Sequence, residues 1–218
     1  MTKSIFDFWT ECPSEARIHP RDKIVFDRIG NDLGFDLRCL PSNVWGPLAT
    51  ARVVLLFLSP GFAEEDVDVA TSPEGQASYV KRRQGTESLD SREDHAPGWR
   101  WWASRTKAIG TPAEVQSAVA ILNIGAYHSR TFDDVHALMA LPSSRAAIDF
   151  AQGTLFPEAE RGERVVICLR KPRAWGLTVG REYPGTLFVP PTTQSGHMVH
   201  GPSRELAAAA ARKALGLR

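Results

Sequence analysis

The sequence predicts a single α/β domain in which a four-stranded parallel sheet lies between two layers of helices. Three observations lead to this fold class. Four short apolar runs recur along the chain, segments with helical spacing or capping signals separate them, and 218 residues suit one domain with a sizeable core. Strands that alternate with helices imply right-handed crossovers, which produce a parallel sheet covered on both faces.

Each predicted strand is a continuous apolar run bounded by turn residues. Such runs are typical of strands that are buried on both faces of a sheet. The first run ends at Ser59-Pro60-Gly61 and the fourth ends at Pro190-Pro191. The four strands are predicted at residues 52–58, 118–124, 165–169 and 186–189.

Helices are predicted where apolar residues recur with helical spacing. One covers residues 21–32, and another covers residues 99–109 and ends at Gly110. Thr111-Pro112-Ala113-Glu114 matches a capping box with proline at the first helical position, so a short helix begins there. Further helices follow Pro142 and occupy the alanine-rich residues 203–215.

Residues 64–98 differ from the rest of the chain because they are polar and show no sustained period. We expect them to form a long loop or lid inserted into a domain that spans residues 1–218.

The composition excludes several classes of protein. The apolar runs are far shorter than the roughly 20 residues that a membrane span needs, and the N-terminus has no leader-like apolar segment. Three widely spaced cysteines without a Cys-x-x-Cys pair indicate neither a disulfide framework nor a thiolate metal site. We therefore expect a cytoplasmic protein without a membrane partner; the oligomeric state stays open.

The net charge of +1 gives no overall field that would attract nucleic acid. Lys81-Arg82-Arg83 and residues 100–107 are locally basic, and if DNA is the ligand we expect this region to contact phosphate.

Common catalytic and cofactor motifs are missing from the sequence. It contains no Walker loop, no Gly-x-Gly-x-x-Gly between a strand and a helix, and no Gly-x-Ser-x-Gly elbow. His197 and His200 lack the i, i+4 spacing of a helical zinc site and an obvious third ligand, so we interpret them as loop histidines. No metal and no cofactor are expected.

The topology nevertheless predicts one site. In open parallel sheets, ligands bind outside the carboxyl ends of the strands. The residues that follow the four predicted strands are 59–62, 123–129, 170–175 and 190–203. We expect these polar loops to converge on one pocket.

Short motifs in these loops occur in an order found in a known superfamily. A strand leads into Leu58-Ser59-Pro60-Gly61, a later strand carries Ile121-Leu122-Asn123, and a final loop carries His200-Gly201-Pro202-Ser203. Together they resemble the uracil-DNA glycosylase superfamily over residues 43–203. Trp45-Gly46, Tyr127-His128-Ser129, Leu141-Pro142-Ser143 and Trp175 further resemble a bacterial branch of it.

The resemblance implies binding of a nucleobase, nucleotide or DNA, and hydrolysis of an N-glycosidic bond. Two positions depart from the superfamily pattern: Ser59 replaces the Asn or Asp that orients the attacking water, and Gly201 interrupts the His-Pro step. A non-catalytic ligand-binding or regulatory domain on the same fold is the alternative.

Residue chemistry suggests roles within such a pocket. An amide at Asn123 offers a donor and an acceptor to a base edge, and Phe62 or Tyr127 offers an aromatic face. His197 or His200 offers a donor to the leaving base, while Glu64, Glu65 or Asp66 is a candidate to orient water if Ser59 does not. The candidate binding residues are Pro60, Gly61, Phe62, Asn123, Tyr127, His128 and Ser129, and the candidate catalytic residues are Ser59, Asp66, His197 and His200.

Trp99, Trp101 and Trp102 allow a different interpretation. Clustered tryptophans suit a partner-binding surface, but they equally suit packing of the inserted segment onto the core, which we favour.

Overall fold

The computed structural model describes residues 4–30, 33–87, 89, 97–131 and 134–218. Its strands are β1 (Val44–Trp45), β2 (Val53–Phe57), β3 (Val119–Asn123), β4 (Val165–Cys168) and β5 (Leu187–Phe188). They form a five-stranded, mostly parallel sheet in the order β1-β3-β2-β4-β5. The predicted α/β class is therefore confirmed.

The predicted strand number is wrong by one. The four expected strands all form and pair in parallel, but β1 adds a fifth strand, antiparallel to β3. The two residues of β1 are too few to show a sequence period, so no pattern predicted this strand.

Ten α-helices connect and cover these strands in the described residues. They are α1 (Ile5–Trp9), α2 (Pro20–Ile29), α3 (Glu64–Thr71), α4 (Pro73–Gln84), α5 (Pro97–Thr106), α6 (Pro112–Val115), α7 (Val135–Ala140), α8 (Pro142–Phe150), α9 (Phe156–Glu160) and α10 (Pro202–Leu215). A π-helical stretch, Ala151–Leu155, joins α8 to α9. None of the described helices is long and apolar enough to cross a membrane.

The central strand β2 organises the core because all five of its residues are buried. Its residues alternate between the two faces of the sheet, as a strand period of two requires. Val54 and Leu56 face a cluster that includes residues of α1, α2 and α8. Val53, Leu55 and Phe57 face a second cluster with residues of α5 and α10. Helices thus cover both faces.

The prediction of a long loop at residues 64–98 is wrong for its first two thirds, which form α3 and α4. The Asp66 carboxylate accepts a hydrogen bond from the Ala63 amide (2.8 Å), and Ser72 caps α4 by accepting one from the Gly75 amide (3.1 Å). Together these helices bury only a few side chains, so their sequences lack an apolar stripe. Residues 88 and 90–96 of the predicted lid lie outside the described residues.

The tryptophans of α5 pack largely inward. Trp102 is fully buried in the cluster on the α5 and α10 face, and Trp99 stacks on it with ring centroids 4.9 Å apart. This arrangement agrees with packing onto the core. The predicted helix 21–32 ends earlier, at Ile29, and residues 31 and 32 lie outside the described residues.

Candidate functional site

The turns that follow β2 and β3 run side by side at the carboxyl edge of the sheet. The amide of Gly125 donates to the Leu58 carbonyl (2.7 Å), and the amide of Ser129 donates to the Pro60 carbonyl (3.2 Å). Ser59-Pro60-Gly61 and residues 123–129 therefore converge, as parallel topology requires.

Asn123 is the last residue of β3 and is only 6% exposed. Its backbone amide donates to the Asn43 carbonyl (2.7 Å), and its carbonyl accepts from the Asn43 side chain (3.1 Å). The side-chain amide of Asn123, in contrast, has no hydrogen-bond partner among the described residues. The fully buried polar atoms without a partner lie in other residues, so the Asn123 amide reaches solvent and can exchange water for a ligand.

Aromatic rings flank the Asn123 side chain. Phe57 is its register partner on β2, and the alternation along β3 puts Asn123 on the face covered by α5 and α10. Trp101 of α5 meets Phe57 edge-on, with ring centroids 4.8 Å apart. Trp45 of β1 lies nearly parallel to Trp101, 6.3 Å away. The amide thus lies beside a wall of aromatic surface.

The loop of residues 190–201, which we call the histidine loop, reaches the same place. Gly196 presses against Phe57: a Cβ atom at Gly196 would lie 2.7 Å from the Phe57 Cε1 atom. Its φ of +84° also favours glycine. The partly buried His197 follows directly, whereas His200 is exposed and contacts Arg204 at the start of α10. Of the two candidate histidines, His197 is the one beside the aromatic wall.

Two arginines lie against this loop. Arg105 of α5 donates from Nε to the Ser195 carbonyl (3.0 Å), and its guanidinium lies 5.1 Å above the Trp101 ring. Arg170, which follows β4, packs its aliphatic chain against Gly196. Burial lowers the pKa of Arg105 and the charge of Arg170 lowers it further. Burial, followed by the charge of Arg105, also lowers the pKa of His197.

His128 and Asp66 are brought together, but both are already bonded. His128 Nδ1 lies 2.6 Å from the Gly61 carbonyl and 3.4 Å from Asp66, and Nε2 lies 2.8 Å from the Tyr79 hydroxyl. Burial alone would raise the pKa of Asp66, but the hydrogen bond and charge of His128 hold it below its usual value. These contacts attach α3 and α4 to the Gly61 turn.

The two proposed stacking residues are placed differently from the expectation. The ring of Phe62 lies between the guanidinium groups of Arg38 and Arg130, 5.1 and 4.6 Å from its centroid. Tyr127 is 1% exposed, and its hydroxyl donates to Asp22 (2.6 Å). Its ring belongs to the core and no ring face is accessible. The expectation that Tyr127 stacks on a base is therefore wrong.

Among the remaining predicted residues, some form local contacts and one has no side-chain partner in the described residues. Ser129 donates to the Thr131 carbonyl (2.9 Å) and so shapes its own loop. The half-buried Ser59 has no hydroxyl partner among the described residues. Glu64 contacts both Arg38 and Arg130.

Two of the three basic residues at positions 81–83 are held within the fold. Arg82 pairs with Glu87 (2.8 Å), and Arg83 is 3% exposed and donates to the Pro41 (3.0 Å) and Pro13 (2.9 Å) carbonyls. Arg82 and Arg83 are therefore engaged within the fold, whereas Lys81 is exposed, and contact of the basic region with phosphate stays a prediction. From the second basic stretch, Arg105 lies in the site.

Sequence reasoning missed the aromatic wall and the placement of Arg105 and Arg170 against the same loop. Trp45 belongs to the strand that no pattern predicted. The two arginines are 65 positions apart in the chain, and both contact the histidine loop, Arg105 at Ser195 and Arg170 at Gly196. The position of Arg170 after a predicted strand was the one available signal.

A concavity lies where the strands begin. It has a volume of about 890 Å³ and is lined by the ends of α5 and α10, including Lys107, Gly110, Arg212 and Leu217. It contains none of the candidate residues. Within the described ranges, no group of three or more metal-ligating side chains lies close enough to hold an ion.

Fold and site define an α/β protein with a polar, aromatic and cationic site at the carboxyl edge of its sheet. Comparisons with protein-family models, with curated proteins and with solved structures found no match to this chain.

Proposed function

We propose that this protein binds a nucleobase-bearing ligand at the carboxyl edge of the sheet, with Asn123 reading the edge of the base. The observation that carries the proposal is Asn123, a residue only 6% exposed whose side-chain amide reaches solvent and has no hydrogen-bond partner among the described residues. An amide presents one donor group and one acceptor, which match a base edge with a carbonyl oxygen beside an N–H.

The surroundings of Asn123 support a flat heterocycle as the ligand. The partly buried Trp101 offers an aromatic face near the amide, while Phe57, only 3% exposed, supports that ring from the core, and base–aromatic stacking contributes about 1–3 kcal/mol per base. The order of Leu58-Ser59-Pro60-Gly61 and Ile121-Leu122-Asn123 resembles the uracil-DNA glycosylase superfamily, which makes a uracil-like base the first probe.

The test is titration of the protein with deoxyuridine and the other deoxynucleosides, followed through tryptophan fluorescence because Trp101 and Trp45 flank the site. We expect saturable binding that Asn123→Leu weakens about tenfold or more, since a bidentate pair discriminates by about 1–3 kcal/mol.

The stability of the ligand-free variant separates a binding role from a structural one. Removing an amide that makes no hydrogen bond within the described residues should leave the free energy of unfolding unchanged or raise it, whereas removing a structural hydrogen bond lowers it. Gln84→Ala changes an exposed amide on α4 and is the matched control. Absence of binding by every nucleoside, or destabilisation of Asn123→Leu with unchanged affinity, contradicts the proposal.

A further inference from the structure

We infer that the ligand carries a phosphate ester, and that Arg105 and Arg170 hold this phosphate beside the base-reading position at Asn123. The inference rests on the proposed function, because it names the chemical class of the ligand in that site. It adds a second subsite, for an anion, to the base-reading position at Asn123.

The strand order puts the two subsites at a suitable separation. Asn123 ends β3, Phe57 ends β2, and Arg170 follows β4, so the central strand lies between the base reader and the arginine. Neighbouring strands are about 4.8 Å apart, so two spacings correspond to about 10 Å. This separation suits a base and a phosphate joined through one sugar.

The Arg105 side chain is held in place by groups that do not neutralise it. Its Nε donates to the Ser195 carbonyl (3.0 Å), Nη1 contacts the Ser104 hydroxyl, and the guanidinium plane rests over Trp101. Nη2 of Arg105 has no partner in the described part of the chain. A fixed guanidinium with a remaining donor is preorganised for a phosphate oxygen.

Arg170 supplies the second positive charge. Its Cγ and Cδ atoms lie 3.4 and 3.5 Å from the position of a Cβ at Gly196, and its guanidinium pairs with no carboxylate among the described residues. Two other partly buried arginines have such partners, since Arg82 pairs with Glu87 and Arg164 pairs with Glu158 (3.1 Å). Two close guanidinium groups without a counter-charge repel each other, and a bound anion would relieve that repulsion.

The histidine loop offers further donors around the two arginines. The hydroxyl groups of Thr193 and Ser195 are 3.0 Å apart and exposed, and the imidazole of His197 lies close to Arg105. Serine and threonine hydroxyls and backbone amides are common phosphate ligands in addition to arginine. The loop therefore completes the polar lining of the proposed subsite.

The experiment compares deoxyuridine, deoxyuridine 5′-monophosphate and inorganic phosphate as probes, each with the wild type at low salt. We expect the monophosphate to bind about tenfold or more tightly than the nucleoside. It adds charge-assisted hydrogen bonds to the two arginines, and such bonds are about twice as strong as neutral ones. Arg105→Gln and Arg170→Gln should each reduce the ratio of the two affinities about tenfold. Arg28→Gln, at an exposed arginine of α2 on the other face, should leave the ratio unchanged.

The outcomes separate this inference from the proposed function. Equal affinity for nucleoside and monophosphate, with binding that still depends on Asn123, overturns the phosphate subsite and leaves the base site standing. Phosphate binding that depends on both arginines, without nucleoside binding, supports the anion subsite and overturns the base site. Arg105→Lys keeps the positive charge and controls for misfolding. If Arg105→Lys binds nucleoside and monophosphate equally and also has a lowered melting temperature, Arg105 acts by supporting the loop. That result would overturn its assignment as a phosphate ligand.

A phosphate of this kind belongs either to a free nucleotide or to a nucleic-acid strand, and a further probe distinguishes the two. A single-stranded oligonucleotide with one internal deoxyuridine should bind more tightly than the monophosphate, with a steeper dependence on salt, if several strand phosphates are contacted. Tighter binding of the monophosphate identifies the free nucleotide. Either result agrees with the subsite.

Discussion

Under the proposed function, the side chain of Ser59 bears on whether binding of a base leads to hydrolysis. The superfamily that the sequence resembles has Asn or Asp at this turn, and here a half-buried hydroxyl stands in its place. The nearby carboxylates are engaged: Glu64 by Arg38 and Arg130, and Asp66 by the Ala63 amide and His128. A hydroxyl is a poorer general base than a carboxylate, so water activation is weak here.

We therefore predict that excision of uracil from an oligonucleotide is slow in the wild type, and that Ser59→Asp raises the single-turnover rate about tenfold or more. Positioned acid–base groups typically contribute about 10²–10⁴-fold. Ser59→Ala is the control and should show no gain. Brisk wild-type excision that survives Ser59→Ala would contradict the role of Ser59. Intact binding with no excision by any variant would favour the non-catalytic alternative.

The buried carboxylate of Asp22 supports the fold from the side opposite the site. It accepts hydrogen bonds from the Tyr127 hydroxyl (2.6 Å) and the Ser143 amide (2.9 Å), and burial raises its pKa. We predict that Asp22→Asn lowers the free energy of unfolding by about 1–3 kcal/mol, because an amide N–H₂ then faces one of the two donors. Urea denaturation measures this change. Asp27→Asn, at an exposed carboxylate of the same helix, should change stability by less than about 0.5 kcal/mol.

At the scale of elements, α4 is attached to the site through one histidine. The Tyr79 hydroxyl bonds His128 Nε2, and His128 Nδ1 bonds the Gly61 carbonyl, so the helix and the turn share a side chain. We predict that Tyr79→Phe lowers the free energy of unfolding by about 0.5–1.5 kcal/mol through loss of this hydrogen bond. A double-mutant cycle with His128→Gln should show coupling of about 0.5 kcal/mol or more, and strictly additive effects would contradict the contact.

The same elements show which features can be predicted from sequence. The four parallel strands are predicted to within one residue at each end because a buried parallel strand must be continuously apolar, and the edge on which Asn123 lies follows from parallel topology. Helices α3 and α4 were missed since few of their residues, such as Ala70 and Tyr79, are buried. Such helices leave no periodic apolar signal.

At the scale of the whole molecule, the site depends on distant segments meeting over the end of one strand. Asn123, Trp101, Arg170 and the histidine loop come from four different parts of the chain, and they meet around Phe57 at the end of β2. No local pattern encodes such a meeting, because it follows from the sheet order and from the path of a loop. The sequence therefore predicts the edge of the site but not its cationic half.

This organisation predicts how a ligand changes amide hydrogen exchange across the molecule. Amides of β2 should exchange only through global unfolding, because this strand is fully buried and paired on both sides, whereas those of the two-residue edge strands β1 and β5 should exchange through local opening. Saturation with deoxyuridine 5′-monophosphate should slow exchange in α5 and in residues 190–201, which contact each other through Arg105 and Ser195. Helix α2 packs on the opposite face of the sheet and is the internal control; once the general gain in stability from binding is subtracted, it should be unchanged. Protection that appears equally in α2, or that spares residues 190–201, would place the ligand elsewhere.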